Sequence, residues 1–278
     1  QVFYLSPPAS FASLGHALGS IYTAFRNRAP LIVTTGQQTR ELLPHDPFLF
    51  NESPVDLPKP FVKWAIEPAR AEDVPAAIAR AYHMAMQAPR GPVLVSVPLS
   101  DWDKPAVEVA PRTVETALGC DAKSLDNIAA KLDAAHEPVI VVGPGVDIDG
   151  AWDDTVQLAE RLQAKVWVSP MSSRCSFPER HPLFAGFLPA KQPDLRQCLE
   201  GADFVLVLGG PAFTYHFPGT GAHIPEGAEL CLITDDAQQI AGAVAGMAVR
   251  ADMKAVTAGL LDRVHAREKR ADQPARSI

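Results

Sequence analysis

Short runs of branched apolar residues, too short for helices, recur along this chain with helical periodicity between them. That alternation predicts parallel sheets. Leu31-Ile32-Val33-Thr34, Val93 to Val97, Val139 to Val142, Val166 to Val168, Phe204 to Leu208 and Leu230 to Thr234 each read as a buried strand, and Val2 to Leu5 opens the chain in the same way. Leu14, Ala17, Leu18, Ile21 and Phe25 recur at helical spacing and predict a helix over 13–27, ended before Pro30. Asp73 is placed to cap a second helix, with Pro75 tolerated in its first turn and Val74, Ile78, Ala81 and Ala85 on its buried face. Leu125, Ile128, Ala129 and Leu132 mark a third, Val156, Leu158, Ala159 and Leu162 a fourth, and residues near 252–265 the last. The Pro-rich stretch 169–193 reads as irregular.

The fold class expected is α/β, with two parallel-sheet units. At 278 residues the length suits two domains. Periodicity is lost over 104–121, which carries Pro105 and Pro111, so this stretch reads as a linker between a unit at 1–103 and a Rossmann-like unit at 122–265. The charged tail 266–278 is expected to be solvated. A formal net charge of -7 argues against nucleic acid as a partner, because phosphate binding needs a basic surface. No apolar run approaches the roughly 18–20 residues of a membrane span. Cys120, Cys175, Cys198 and Cys231 are scattered with no CxxC pair and read as reduced and mostly buried, which suits a cytoplasmic location.

Chemistry concentrates at two places. After the strand at Leu31 comes a polar turn, Gly36-Gln37-Gln38-Thr39-Arg40, and then a Pro-broken loop of a length that compact domains usually reserve for function. Later, His216 sits in Phe213-Thr214-Tyr215-His216, on the loop after the strand ending at Leu208. An imidazole at the carboxyl side of a parallel sheet is placed for proton transfer, although a satisfied buried histidine is the plainer alternative. His83, His136, His181, His223 and His265 show no metal-ligand spacing. Gly143-Pro144-Gly145 and Gly209-Gly210-Pro211 follow strands and invite nucleotide binding, with Asp235 and Asp236 placed for a ribose. Neither completes a GxGxxG, since Ile148 stands where the third glycine belongs; glycine turns and helix capping by the aspartates are the plainer account.

GQQTR at 36–40, DLPKPFVKW at 56–64, GPVLVSVPLSDWDK at 91–104 and RCSFPERHP at 174–182 together resemble the thiamine-diphosphate-dependent 2-keto acid decarboxylases. The resemblance covers the whole chain. It implies that residues 1–103 are the C-terminal part of a pyrimidine-binding domain and 122–265 the middle domain. It further implies decarboxylation of an aromatic 2-keto acid such as benzoylformate to an aldehyde and carbon dioxide, with thiamine diphosphate and Mg²⁺ as cofactors, in a homodimer or homotetramer. By the same resemblance His216 is catalytic, Phe48 and Leu49 meet the substrate's ring, and Asp56, Leu57 and Lys59 form a divalent-ion site remote from the cofactor, Leu57 and Lys59 through their carbonyls. Two departures stand out. Ala9 occupies a position where the family carries a histidine, which leaves room for carboligation or another 2-keto acid. The family's diphosphate-binding GDG motif is absent from these residues, and the activating glutamate is expected before residue 1, so the 278 residues alone are expected to be inactive.

Overall fold

A computed structural model describes residues 2–4 and 11–268. The chain divides into two compact units between Thr116 and Ala117. The first unit runs β1 (Val2–Tyr4), α1 (Phe11–Arg26), β2 (Leu31–Gln37), β3 (Ala65–Ile66), α2 (Val74–Met86) and β4 (Pro92–Pro98). Its sheet has the order β1-β2-β4-β3 and every pairing is parallel. All seven residues of β4 are buried, as a central parallel strand requires. β2 runs three residues beyond the expected end: Gly36 and Gln37 pair with Val97 and Pro98 and are strand, not turn.

The face of α2 is rotated from the expected one. Ala77, Ala81 and Ala85 are buried against Ile32, Val93, Val95 and Val97, while Val74 and Ile78 are only partly covered. Asp73 starts this helix without capping it, because its carboxylate is held by the Arg70 guanidinium at 3.0 Å. The other end of α2 is closed by Lys63, whose Nζ donates to the carbonyls of Met84 (2.7 Å) and Gln87 (2.6 Å). Trp64 meanwhile lies under Arg80, 5.1 Å from guanidinium to ring. The Val-Lys-Trp triplet thus ties the end of the long loop to the helix that follows it.

The second unit runs α3 (Ala122–Ala134), β5 (Pro138–Val142), α4 (Gly145–Ile148), α5 (Trp152–Leu162), β6 (Lys165–Val168), β7 (Phe184–Phe187), α6 (Gln192–Cys198), β8 (Phe204–Leu208), β9 (Glu229–Thr234), α7 (Ala237–Ala241), β10 (Met247–Arg250) and α8 (Met253–Leu261). Its six strands are all parallel in the order β10-β9-β8-β5-β6-β7. Chain order therefore reverses between β5 and β8, the doubly wound arrangement in which that gap is the switch point. Leu125, Ile128, Ala129 and Leu132 are all buried, and Asp121 caps their helix by accepting from the Ser124 amide. The irregular stretch expected at 169–193 contains the edge strand β7 and the start of α6.

Residues 105–121 hold no helix or strand. The last of them already belong to the second unit, where Leu118 and Asp252 exchange hydrogen bonds of 2.8 and 2.9 Å. Limited proteolysis is expected to cut within 104–116, where almost every residue is exposed, before either sheet. Earlier cleavage within 139–168 would contradict it. The tail is not uniformly solvated: Arg267 donates to the carbonyls of Leu132 and Ala135 and closes the end of α3. Residues 269–278 and the Ala9 position lie outside the described residues. Of the cysteines only Cys231 is buried, its thiol pushed up to about 12 by desolvation; Cys175 is exposed. No helix among the described residues is long and apolar enough to cross a membrane.

Candidate functional site

The Gln-Gln-Thr-Arg segment is where the first unit becomes polar, and each side chain has a definite partner. Gln37, the last residue of β2, is buried, and its Nε2 donates to the Asn51 carbonyl at 2.6 Å. Its Oε1 accepts from the Gln38 amide at 2.9 Å and from the Asn51 amide at 3.4 Å. Gln38 Nε2 donates to the Phe48 carbonyl at 2.8 Å. Two neighbouring carboxamides therefore hold the backbone of the loop on either side of Leu49. Leu49 itself lies in the left-handed region at φ 64°, and Asp46 at φ 45°. Non-glycine residues adopt that region at a cost and persist there only when their surroundings hold them.

Arg40 turns the other way. Its Nε donates to Asp101 Oδ1 and Oδ2 at 3.0 and 3.2 Å, and its terminal nitrogen to Asp101 Oδ2 at 2.6 Å and to the Pro68 carbonyl at 2.7 Å. The Asp101 side chain is completely buried. The carboxylate holds the guanidinium above its ordinary titration range. Gln-Gln-Thr-Arg and Ser-Asp-Trp, widely separated in sequence, are thus two halves of one charged clasp.

The structure places Phe48 and Leu49 side by side at the tip of the loop, with Phe48 87% exposed. They form an apolar pair facing outward, suited to meeting an apolar group. Asp56, Leu57 and Lys59 come together on the next turn, beside a depression of about 780 Å³ lined by Asp46, Phe50, Asn51, Glu52, Ser53, Asp56 and Leu57. The Asp56 carboxylate is partnered within the turn: Lys59 Nζ donates to Oδ1 at 2.8 Å, and Ser53 Oγ donates to Oδ2. These two partners hold the Asp56 carboxyl below its usual range. No group of three or more His, Cys, Asp or Glu able to hold a metal forms among the described residues, a set that does not include the backbone carbonyls expected of Leu57 and Lys59.

His216 stands in the second unit. Its backbone amide and that of Phe217 both donate to the Ala190 carbonyl, at 2.8 and 3.2 Å, which fixes where the imidazole leaves the chain. The side chain is exposed, so this is not a packed histidine. Phe213 turns into the core and Tyr215 is half-buried, so only Phe217 meets the imidazole, edge-on at 4.8 Å. The Tyr215 hydroxyl shares a 2.8 Å hydrogen bond with His223 Nδ1, and desolvation pushes the phenol up to about 12. Nothing in the sequence marks the Tyr215–His223 pair, since it closes a loop with no periodicity.

The glycines at the switch point serve packing. Gly143 donates to the Leu208 carbonyl, Gly145 to Gly209 and Gly209 to Ile233, so these amides are not aimed at a phosphate. A Cβ on Gly143 would stand 2.7 Å from the Gly209 carbonyl oxygen and the Gly210 Cα. Gly209, at φ 71°, meets the Val146 amide with the same closeness. Asp236 caps α7 by accepting from the Gln238 amide, the plainer of its two expected roles.

Residues 125–260 match the family model of the thiamine pyrophosphate enzyme central domain. Among curated proteins, benzoylformate decarboxylase of Pseudomonas aeruginosa is 40% identical over 257 residues, covering 91% of this chain and 49% of the relative. Sulfoacetaldehyde acetyltransferase of Rhodobacter capsulatus is 32% identical, covering 92% and 44%. Among solved structures, benzoylformate decarboxylase from Polynucleobacter necessarius superposes with a TM-score of 0.91 at 41% identity, covering 97% of this chain and 50% of that one. The thiamine diphosphate-dependent 4-hydroxybenzoylformate decarboxylase of Rhodococcus jostii gives 0.90 at 38%, covering 100% and 52%. The chain spans about half the length of these relatives. With two parallel α/β units, the second doubly wound and matched to the central domain, the chain belongs to the thiamine pyrophosphate enzyme family.

Proposed function

We propose that this chain is part of a thiamine-diphosphate-dependent decarboxylase of aromatic 2-keto acids, converting benzoylformate to benzaldehyde and carbon dioxide. The observation that carries this is 40% identity to a benzoylformate decarboxylase across 91% of the chain, the loop of Phe48 and Leu49 and the segment of His216 included. Thiamine diphosphate supplies the electron sink for loss of carbon dioxide. Its diphosphate would sit with Mg²⁺ on a motif these residues do not contain. What this chain contributes is an apolar wall from Phe48 and Leu49 for the acid's ring, and from His216 an exposed imidazole able to pass a proton.

The same family reading makes the protein a homodimer or homotetramer, acting on a small 2-keto acid and not on nucleic acid or membrane. Four free cysteines suit the cytoplasm. The test is turnover of benzoylformate with added thiamine diphosphate and Mg²⁺. A protein that also carries the activating glutamate and the diphosphate motif is expected to release benzaldehyde, and residues 1–278 alone are expected to release none. Activity from residues 1–278 alone, or none from the longer protein, would refute the proposal. Ala9, where the family carries a histidine, favours one second outcome, a 2-hydroxy ketone formed by ligation in place of the free aldehyde.

A further inference from the structure

We propose that Gln37 and Gln38 are positioning residues for specificity: their carboxamides set where Phe48 and Leu49 stand, and hence which 2-keto acid is accepted. The inference rests on the proposed substrate role of Phe48 and Leu49 and adds to it the groups that fix them. The tip of the loop is a tight turn, closed by the Phe50 amide on the Pro47 carbonyl at 3.0 Å. Phe48 is almost fully exposed, Leu49 is more than a third exposed, and Leu49 and Asp46 both have left-handed backbones. Packing holds Phe48 little, and the turn's own bond does not fix where the turn stands relative to the sheet.

What ties that turn to the sheet is the pair of carboxamides. Gln38 Nε2 holds the Phe48 carbonyl at 2.8 Å, one peptide before the strained residue, and Gln37 Nε2 holds the Asn51 carbonyl at 2.6 Å, two residues after it. Gln37 is itself fixed, since it is the last paired residue of β2, is buried, and its Oε1 accepts from Gln38 and Asn51. The rigid sheet is thereby transmitted to the loop tip through two side chains. Misplacement by an ångström is enough to disturb a bound substrate's alignment.

The experiment uses the protein that also carries the activating glutamate and the diphosphate motif, reconstituted with thiamine diphosphate and Mg²⁺. Gln38→Met keeps the length of the side chain and removes only the tie to Phe48. Gln37→Glu keeps the acceptor for both amides and replaces the donor with an oxygen that repels the Asn51 carbonyl. Phe48→Ala serves as the reference for the substrate role. Each glutamine variant is expected to raise KM for benzoylformate about tenfold with kcat changed less than about twofold, and to narrow the preference for aromatic over aliphatic 2-keto acids. Hydrogen exchange should quicken over residues 46–51 and stay unchanged over Val93 to Val97. A purely structural role would alter exchange and leave the substrate preference alone.

If Phe48→Ala moves KM while the glutamine variants do not, the positioning role is overturned and the substrate role stands. If none of the three moves KM or the preference, the substrate role itself is wrong, and the inference falls with it. Should Gln37→Glu fail to fold, Gln38→Met, whose side chain lies partly in solvent, decides alone.

Discussion

Replacing Arg40 by methionine is expected to destabilise the first unit by about 3–5 kcal/mol, the usual consequence of removing one partner from a buried ion pair. Asp101 has a completely buried side chain and takes three hydrogen bonds from the Arg40 guanidinium. Among the described residues the other cation paired with it is Lys104, half-exposed with its Nζ 4.0 Å from Asp101 Oδ1, too loosely held to replace a bidentate guanidinium. The Pro68 carbonyl would lose its donor as well. Replacing both partners together, as Arg40→Met with Asp101→Leu, should recover most of the loss, because a well-packed apolar pair is often as stable as a buried ion pair. The urea midpoint of the first unit, followed by hydrogen exchange at Val93 to Val97, measures both. A loss below about 1 kcal/mol for the single variant would place the clasp with ordinary surface salt bridges.

His216→Ala is expected to lower kcat for the 2-keto acid by about 10²- to 10⁴-fold, the range for losing a general acid-base group. The large end of that range is favoured here because Ala9 stands where the family carries a second histidine. The structure makes the experiment clean. The imidazole is exposed and its loop is pinned through backbone amides to Ala190, so its removal leaves no cavity and breaks none of those bonds. Thermal stability should therefore stay near that of the parent, and so should affinity for thiamine diphosphate. An unchanged kcat with an unchanged pH profile would leave His216 as a loop residue without a role in catalysis.

Central elements were legible in the sequence because burial on every side leaves a compositional mark. β5 and β8, paired on both edges and entirely buried, are uninterrupted apolar runs, and α3 buries the four residues its periodicity marks. Edge elements carry no such mark. Phe184–Phe187 lies at a sheet margin with only Phe184 buried, and Met247–Arg250 at the other margin has no buried residue, so neither stands out from a loop. Asp73 failed as a cap because Arg70, three residues before it, competes for the same carboxylate.

At the candidate site the sequence marked segments and not their partners. Gly36 to Arg40 announced itself by polarity at a strand end. That Gln37 reaches the backbone of Asn51 and Arg40 reaches Asp101 depends on how distant segments meet, which local pattern does not encode. The ion pair between Lys59 and Asp56 is of the same kind, an i,i+3 contact that the sequence allows without requiring.

The backbone contact between Gly143, Gly145 and Gly209 bears on how this architecture has been put to use. Doubly wound sheets leave a mouth at the point where strand order turns back, and that mouth is where such folds usually receive a guest. In this unit the two lips are pressed together with no side chain between them, and their amides are bonded to carbonyls across or along the seam. Even one methyl group at Gly143 or Gly209 would act as a wedge, pushing apart strands that the buried core on either side holds in register. The second unit is thus shut at its switch point, and the loop that leaves β8 there, the one carrying His216, starts from strands whose spacing cannot give.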